Sequence, residues 1–133
     1  VKIIADTNVL ARAVLQDDVE QCRKARNLLE EATLIAISLP VLCELVWLLR
    51  RGAKQSKEDV SRAIRALLDT GHVVTNRAAA EAGLALLDAG GDFADGVMAY
   101  EGRWLGGKTF VSFDKRAITL LAGQGHDVQL LSS

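Results

Sequence analysis

Apolar and polar positions along this chain change period repeatedly, and each change marks the border of an element. Val1 to Ala5 is a short apolar run that stops at the polar Asp6-Thr7-Asn8, and the apolar spacing from Val9 to Leu15 is helical, which predicts strand, turn and helix in succession. From Asp18 to Ala32 the apolar residues Val19, Cys22, Ala25, Leu28 and Leu29 recur at the i, i+3, i+4 spacing of an amphipathic helix, and Thr33 to Ser38 predicts a second strand. Pro40 lies early in the next helix, where its missing N–H does no harm; that helix runs to about Arg51 through VLCELVWLL, apolar on nearly every side except at Glu44, and is expected to be largely buried.

Ser56 and the acidic Glu58-Asp59 open a helix that closes at Gly71, and His72 to Thr75 is a strand candidate. Arg77 to Ala89 is a helix stopped by Gly90-Gly91, and Asp92 to Leu105 is another, closed by Gly106-Gly107. Thr109 to Phe113 is a strand ending in Asp114, Lys115 to Ala122 a helix, and Val128 to Leu131 a last strand. Strands alternating with helices predict an α/β fold with a parallel sheet covered on both faces.

At 133 residues, half of them apolar and a quarter charged, the chain has the size of a single domain, 1–133. Such a chain buries roughly two-thirds of its unfolded surface, enough for a core without disulfides. Cys22 and Cys43 each fall in an apolar helical pattern and are expected to be reduced core thiols. No apolar run has the length of a membrane span and VKIIADTN carries no signal-peptide apolar segment, so a soluble, cytoplasmic protein with no membrane partner is expected. A net charge of −1 argues against a protein that holds nucleic acid by counterion release alone, but leaves open an enzyme that grips phosphate through bound cations.

In an open parallel sheet, ligands bind at the carboxyl ends of the strands. Asp6 ends the first strand and Asp114 the fourth, so the two carboxylates face each other if those strands are neighbours, and Asp92 and Asp95 open the helix before the fourth strand. Each aspartate also sits where a helix begins: Asp6 or Asn8, Asp92 and Asp114 are all candidate caps. Glu44, inside an apolar helix, needs a cation, an Arg partner or an exposed helix edge to escape the cost of a buried charge. All these donors are oxygen, while His72 and His126 stand alone, a set that suits Mg²⁺ or Mn²⁺ rather than Zn²⁺.

The segments IIADTNVL, Glu44 in its apolar helix, DFADGVMA and VSFDK together resemble a PIN domain over essentially the whole chain, with an order and spacing similar to VapC-type toxins of prokaryotic toxin–antitoxin modules. The resemblance implies a three-layer α/β/α sandwich with a five-stranded parallel sheet in the order 3-2-1-4-5, and cleavage of single-stranded or looped RNA dependent on one or two Mg²⁺ or Mn²⁺ ions. By position it implies Asp6, Glu44, Asp95 and Asp114 as the catalytic and metal-binding quartet, with Asp6 bridging from a central strand. Asp92 matches an additional acid of some members, and Thr7, Asn8 and Ser112 match polar positions beside the site. Ser112 replaces a usual Thr, keeping the hydroxyl, and Gly96 stands where a small residue such as Ala is common. Arg12, Lys115 and Arg116, with Arg50 and Arg51, are candidate phosphate contacts, although a solvated face also explains them. A cognate antitoxin, docking against the Trp47 helix and the 18–32 helix, and a homodimer are further implications.

Two other α/β families fit poorly: a phosphoaspartyl enzyme of the haloacid-dehalogenase kind wants a second Asp where Asn8 stands, and a receiver domain wants adjacent acids where Ala5 precedes Asp6. A non-catalytic module that keeps the fold and binds a partner peptide is the alternative from a different class.

Overall fold

The computed structural model describes residues 1–132 and has its elements close to where the changes of period lie. The chain divides into two units, Val1–Arg77 and the stretch from Ala78 onward. The first contains β1 (Lys2–Ile4), α1 (Thr7–Leu15), α2 (Val19–Glu31), β2 (Leu34–Ala36), α3 (Leu39–Trp47), a π-helical turn (Leu48–Gly52), α4 (Lys57–Leu68) and β3 (Val73–Val74). Its strands form a parallel sheet in the order β1-β2-β3, with Ile3 opposite Ile35 and Ile35 opposite Val73. Leu10, Ile35, Leu42, Leu45, Leu49, Val60 and Ile64 are buried completely or nearly so. Side-chain caps fix the entries: Asp18 accepts from the Gln21 N–H at 3.0 Å, and Ser56 Oγ from the Asp59 N–H at 3.1 Å.

The second unit holds the rest of α5 (Arg77–Asp88), then α6 (Phe93–Trp104), β4 (Thr109–Ser112), α7 (Lys115–Gly123) and β5 (Asp127–Leu130). β4 and β5 pair in parallel from Thr109 opposite Asp127 to Ser112 opposite Leu130. Leu86, Ala99 and Leu121 form a buried cluster against which Phe110, Leu120 and Val128 pack. α6 ends because Gly106 adopts φ +105°, from which its N–H reaches the Arg103 carbonyl at 3.0 Å and that of Gly107 the Gly102 carbonyl at 2.9 Å.

Two expectations are corrected here. The single five-stranded sheet is replaced by a three-stranded and a two-stranded parallel sheet, and among the described residues β1 and β4 are not hydrogen-bonded neighbours. A strand central to a doubly covered sheet is buried at successive positions, whereas Ile4 in β1 is 88% exposed and Val111 in β4 is 49% exposed; both strands behave as edges. α3 is not buried all round either. Its buried residues Leu39, Leu42, Leu45 and Val46 leave a stripe of Pro40, Glu44, Trp47 and Arg51 on the exposed side, spaced at four, three and four residues. Glu44 is therefore exposed, and Trp47 is 62% exposed. The run of apolar letters hid this stripe because Trp47 reads as a core residue. Cys22 is buried and Cys43 half-buried, both as free thiols, and among the described residues no helix is long and apolar enough to cross a membrane.

Candidate metal centre

Two helix starts of the second unit carry three of the expected acids. Asp92 is the N-cap of α6, its Oδ1 accepting from the Ala94 N–H at 3.1 Å, and Asp95 lies in the first turn of that helix. Asp114 is the N-cap of α7: its Oδ1 accepts from the N–H groups of Arg116 at 2.9 Å and Ala117 at 3.2 Å. Ser112 Oγ in turn accepts from the Asp114 N–H at 3.0 Å, so the hydroxyl at this position holds the backbone that presents the acid. Each of these caps engages Oδ1 alone, which leaves Oδ2 of Asp92 and of Asp114 out of the capping.

Asp95 is the residue on which this arrangement bears. Half-buried, its carboxyl is held above the usual carboxylate range, first by desolvation and then by the charges of Asp92 and Asp114. The positive end of the α6 dipole favours its ionised form, yet burial and two like charges outweigh that help. A carboxylate crowded in this way is stabilised by a cation, and the donors at hand are hard oxygens. Among the described residues, no three His, Cys, Asp or Glu side chains stand ready-assembled as a metal cage. The oxygen donors of Asp92, Asp95 and Asp114 are of the kind Mg²⁺ takes, with one or two carboxylates bound directly and the rest of its shell from water.

Arg116, one of the expected phosphate contacts, has another use. Its Nε and Nη2 donate to the Gly90 carbonyl at 3.2 and 2.9 Å, tying α7 to the turn after α5, while Lys115 is exposed. The cap of α7 should carry measurable stability: Asp114→Ala is expected to cost about 1 kcal/mol, and urea unfolding of the metal-free protein measures it, with Asp114→Asn, which can still accept the two N–H bonds, much closer to the parent.

The first unit holds the other expected acids. Asp6 is the N-cap of α1, Oδ1 accepting from the Val9 N–H at 3.0 Å, and Thr7 is buried in the first turn beside the exposed Asn8. β1 is an edge strand of its sheet, so the central-strand position expected for Asp6 is not met. Glu44 points from the exposed stripe of α3 and needs no buried counter-charge. Arg12 Nη1 donates to both oxygens of Asp17 at 3.0 Å, and Arg50 Nη1 to the Gln55 carbonyl at 2.7 Å. Sequence reasoning missed Gln21 and Lys24 of α2, which with Asn8 and Arg12 line a groove between α1 and α2; polar letters on one side of an amphipathic helix carry no signal that they face a groove.

The family model of the PIN domain matches residues 3–120. This chain belongs to the PIN-domain family. PIN domains are nucleases that generally work with divalent metal ions, so a nuclease-like function follows for the chain. No curated protein matches it. The matched stretch contains every acid discussed above, Asp6, Glu44, Asp92, Asp95 and Asp114, together with Ser112 and the caps that present them.

Proposed function

We propose that this PIN-domain protein is a Mg²⁺- or Mn²⁺-dependent endoribonuclease that cuts single-stranded or looped RNA, and that it is the toxin of a toxin–antitoxin pair. The observation that carries the proposal is Asp95: a half-buried carboxyl, disfavoured as an anion by burial and by Asp92 and Asp114, on a chain whose family is one of metal-using nucleases. Perturbed acids of this kind cluster at functional sites. Asp6, Glu44, Asp95 and Asp114 are assigned as the working acids, with 1–133 acting as one functional domain.

When bound, one or two cations supply Lewis-acid polarisation of the scissile phosphate. The chain's own residues do the rest. Asp95 provides the anion that gains most from a cation, and Asp114 keeps Oδ2 available while its Oδ1 caps α7. Ser112 holds the Asp114 backbone, and Asp6 and Glu44 add carboxylates from the first unit. Because these groups must be ionised to bind a cation, metal affinity falls in acid. The antitoxin, a homodimeric state and a cytoplasmic location are assigned on family grounds; the exposed Trp47 is the kind of aromatic anchor that a protein partner covers.

A panel of structured and single-stranded RNAs incubated with Mg²⁺, Mn²⁺ or EDTA tests the proposal against Asp6→Asn and Glu44→Gln. Metal-dependent cutting by the parent, lost in both variants while circular dichroism stays unchanged, is the expected result. Folded protein, freed of partners, that cuts no RNA under any condition would leave the non-catalytic, partner-binding module as the better account. Gel filtration at a monomer mass would remove the dimer.

A further inference from the structure

We propose that the groove between α1 and α2 holds the single-stranded RNA that this enzyme cuts, with Lys24 as its principal phosphate contact; this rests on the ribonuclease function above. The groove has a volume of about 470 Å³, of the size that takes a nucleotide rather than a lone ion. Its lining is graded chemically. Arg12 and Lys24 are cations, Asn8 and Gln21 carry amides that can donate to and accept from base edges, and Val9 and Leu28 offer apolar surface to a base. Among the described residues no carboxylate lines it, although the chain as a whole is slightly acidic. The groove also begins at the right place, since Val9, one of its lining residues, donates its N–H to Asp6 Oδ1 at 3.0 Å. A strand whose scissile phosphate lies near Asp6 therefore has a lining residue of this groove within one helical turn of it.

The two cations differ in availability. The charge of Arg12 is already matched by Asp17 at 3.0 Å. Lys24 makes no ion pair among the described residues, and the acid one turn before it, Glu20, is engaged by Arg23. A cation with no carboxylate partner, in a groove that Val9 also lines, is complementary to a polyanion.

Anisotropy of a labelled short single-stranded RNA, measured with the full chain in EDTA to prevent cutting, tests the proposal in the parent, Lys24→Glu, Lys24→Met and Arg62→Glu. Arg62→Glu makes the same charge change on an exposed face of α4 and controls for net charge. Lys24→Glu is expected to weaken binding about tenfold, and the dependence of log affinity on log salt to lose about 0.7 in slope for one phosphate contact removed. Lys24→Met should lose the same slope, and Arg62→Glu should stay close to the parent. Parent protein that does not bind the RNA, or Lys24 variants that bind no worse than Arg62→Glu, overturns the proposal and leaves the groove to a protein partner. Failure of the enzyme function is distinguishable: binding that depends on Lys24 without any cutting in Mg²⁺ removes the nuclease and keeps the groove, whereas cutting with an unchanged KM in Lys24→Glu removes the groove and keeps the nuclease.

Discussion

Asp95→Asn is expected to stabilise the metal-free protein at neutral pH while reducing RNA cleavage by at least about a hundredfold, the loss typical when one electrostatic contact to a transition state is removed. The two effects have one origin. Burial and the charges of Asp92 and Asp114 hold the Asp95 carboxyl above its usual value of 3.8. Between that value and the raised folded value the native state keeps a proton that the unfolded state has released, so stability falls as pH rises through the window. Above it the penalty is complete, and well below 3.8 it vanishes. Asparagine cannot ionise, so its advantage in thermal melts should be full at neutral pH and should disappear in acid. Adding Mn²⁺ should reverse the order, because a ligand that binds only the native state raises the melting temperature of the parent more than that of the weaker-binding variant. Melts at two pH values, each with and without Mn²⁺, measure all of this; a variant less stable than the parent at neutral pH without metal would remove the crowding argument.

The largest stability effect is expected at Gly96, which follows Asp95 in α6. A Cβ built there stands 2.5 Å from the Ala82 carbonyl oxygen and 2.8 Å from the Gly83 Cα, so α5 and α6 meet backbone to backbone at this point. Alanine in a helix is ordinarily favoured over glycine by up to about 1 kcal/mol, but these contacts are with main chain and no rotamer change relieves them. Overpacking therefore wins: Gly96→Ala should be destabilising by about 1–3 kcal/mol, and Gly96→Val by more. Gly102 provides the control in the same helix. Nothing lies within 4 Å of a Cβ there, so Gly102→Ala should be stabilising by roughly 0.5–1 kcal/mol. Equal behaviour of the two alanine variants in urea titrations would contradict the close crossing. The small residue that the family resemblance implies at this position is thus limited further here, to glycine, because Gly83 and Ala82 approach so closely.

Capping residues and glycine stops made the elements legible from sequence. Asp18, Ser56, Asp92 and Asp114 all cap the helices they precede, and Gly106 ends α6 in the left-handed conformation. These are local signals, governed by a few neighbouring backbone groups. What depends on distant parts of the chain was harder to read. Among the described residues β1 pairs with β2 and not with β4, a matter of pairing that no period in the sequence encodes. Glu44 looked buried because Trp47, one turn on, was counted as core, whereas the stripe of Pro40, Glu44, Trp47 and Arg51 faces out. Arg116 was legible as a cation near Asp114 but not as the partner of the Gly90 carbonyl, a bond across 26 residues. Of the site, the acids of α6 and α7 and the Ser112 hydroxyl were legible together because one helix start and one strand end place them; the groove residues Gln21 and Lys24 were not.

The central claim is that this chain's carboxylates hold a divalent cation, and the most direct test is a Mn²⁺ titration of the full, RNA-free protein followed by electron paramagnetic resonance, comparing the parent with Asp95→Asn. Saturable binding by the parent that weakens at least about tenfold in the variant, and weakens in the parent as pH falls, is the predicted result. Equal binding by both proteins, or none by folded parent at millimolar Mn²⁺, would contradict it.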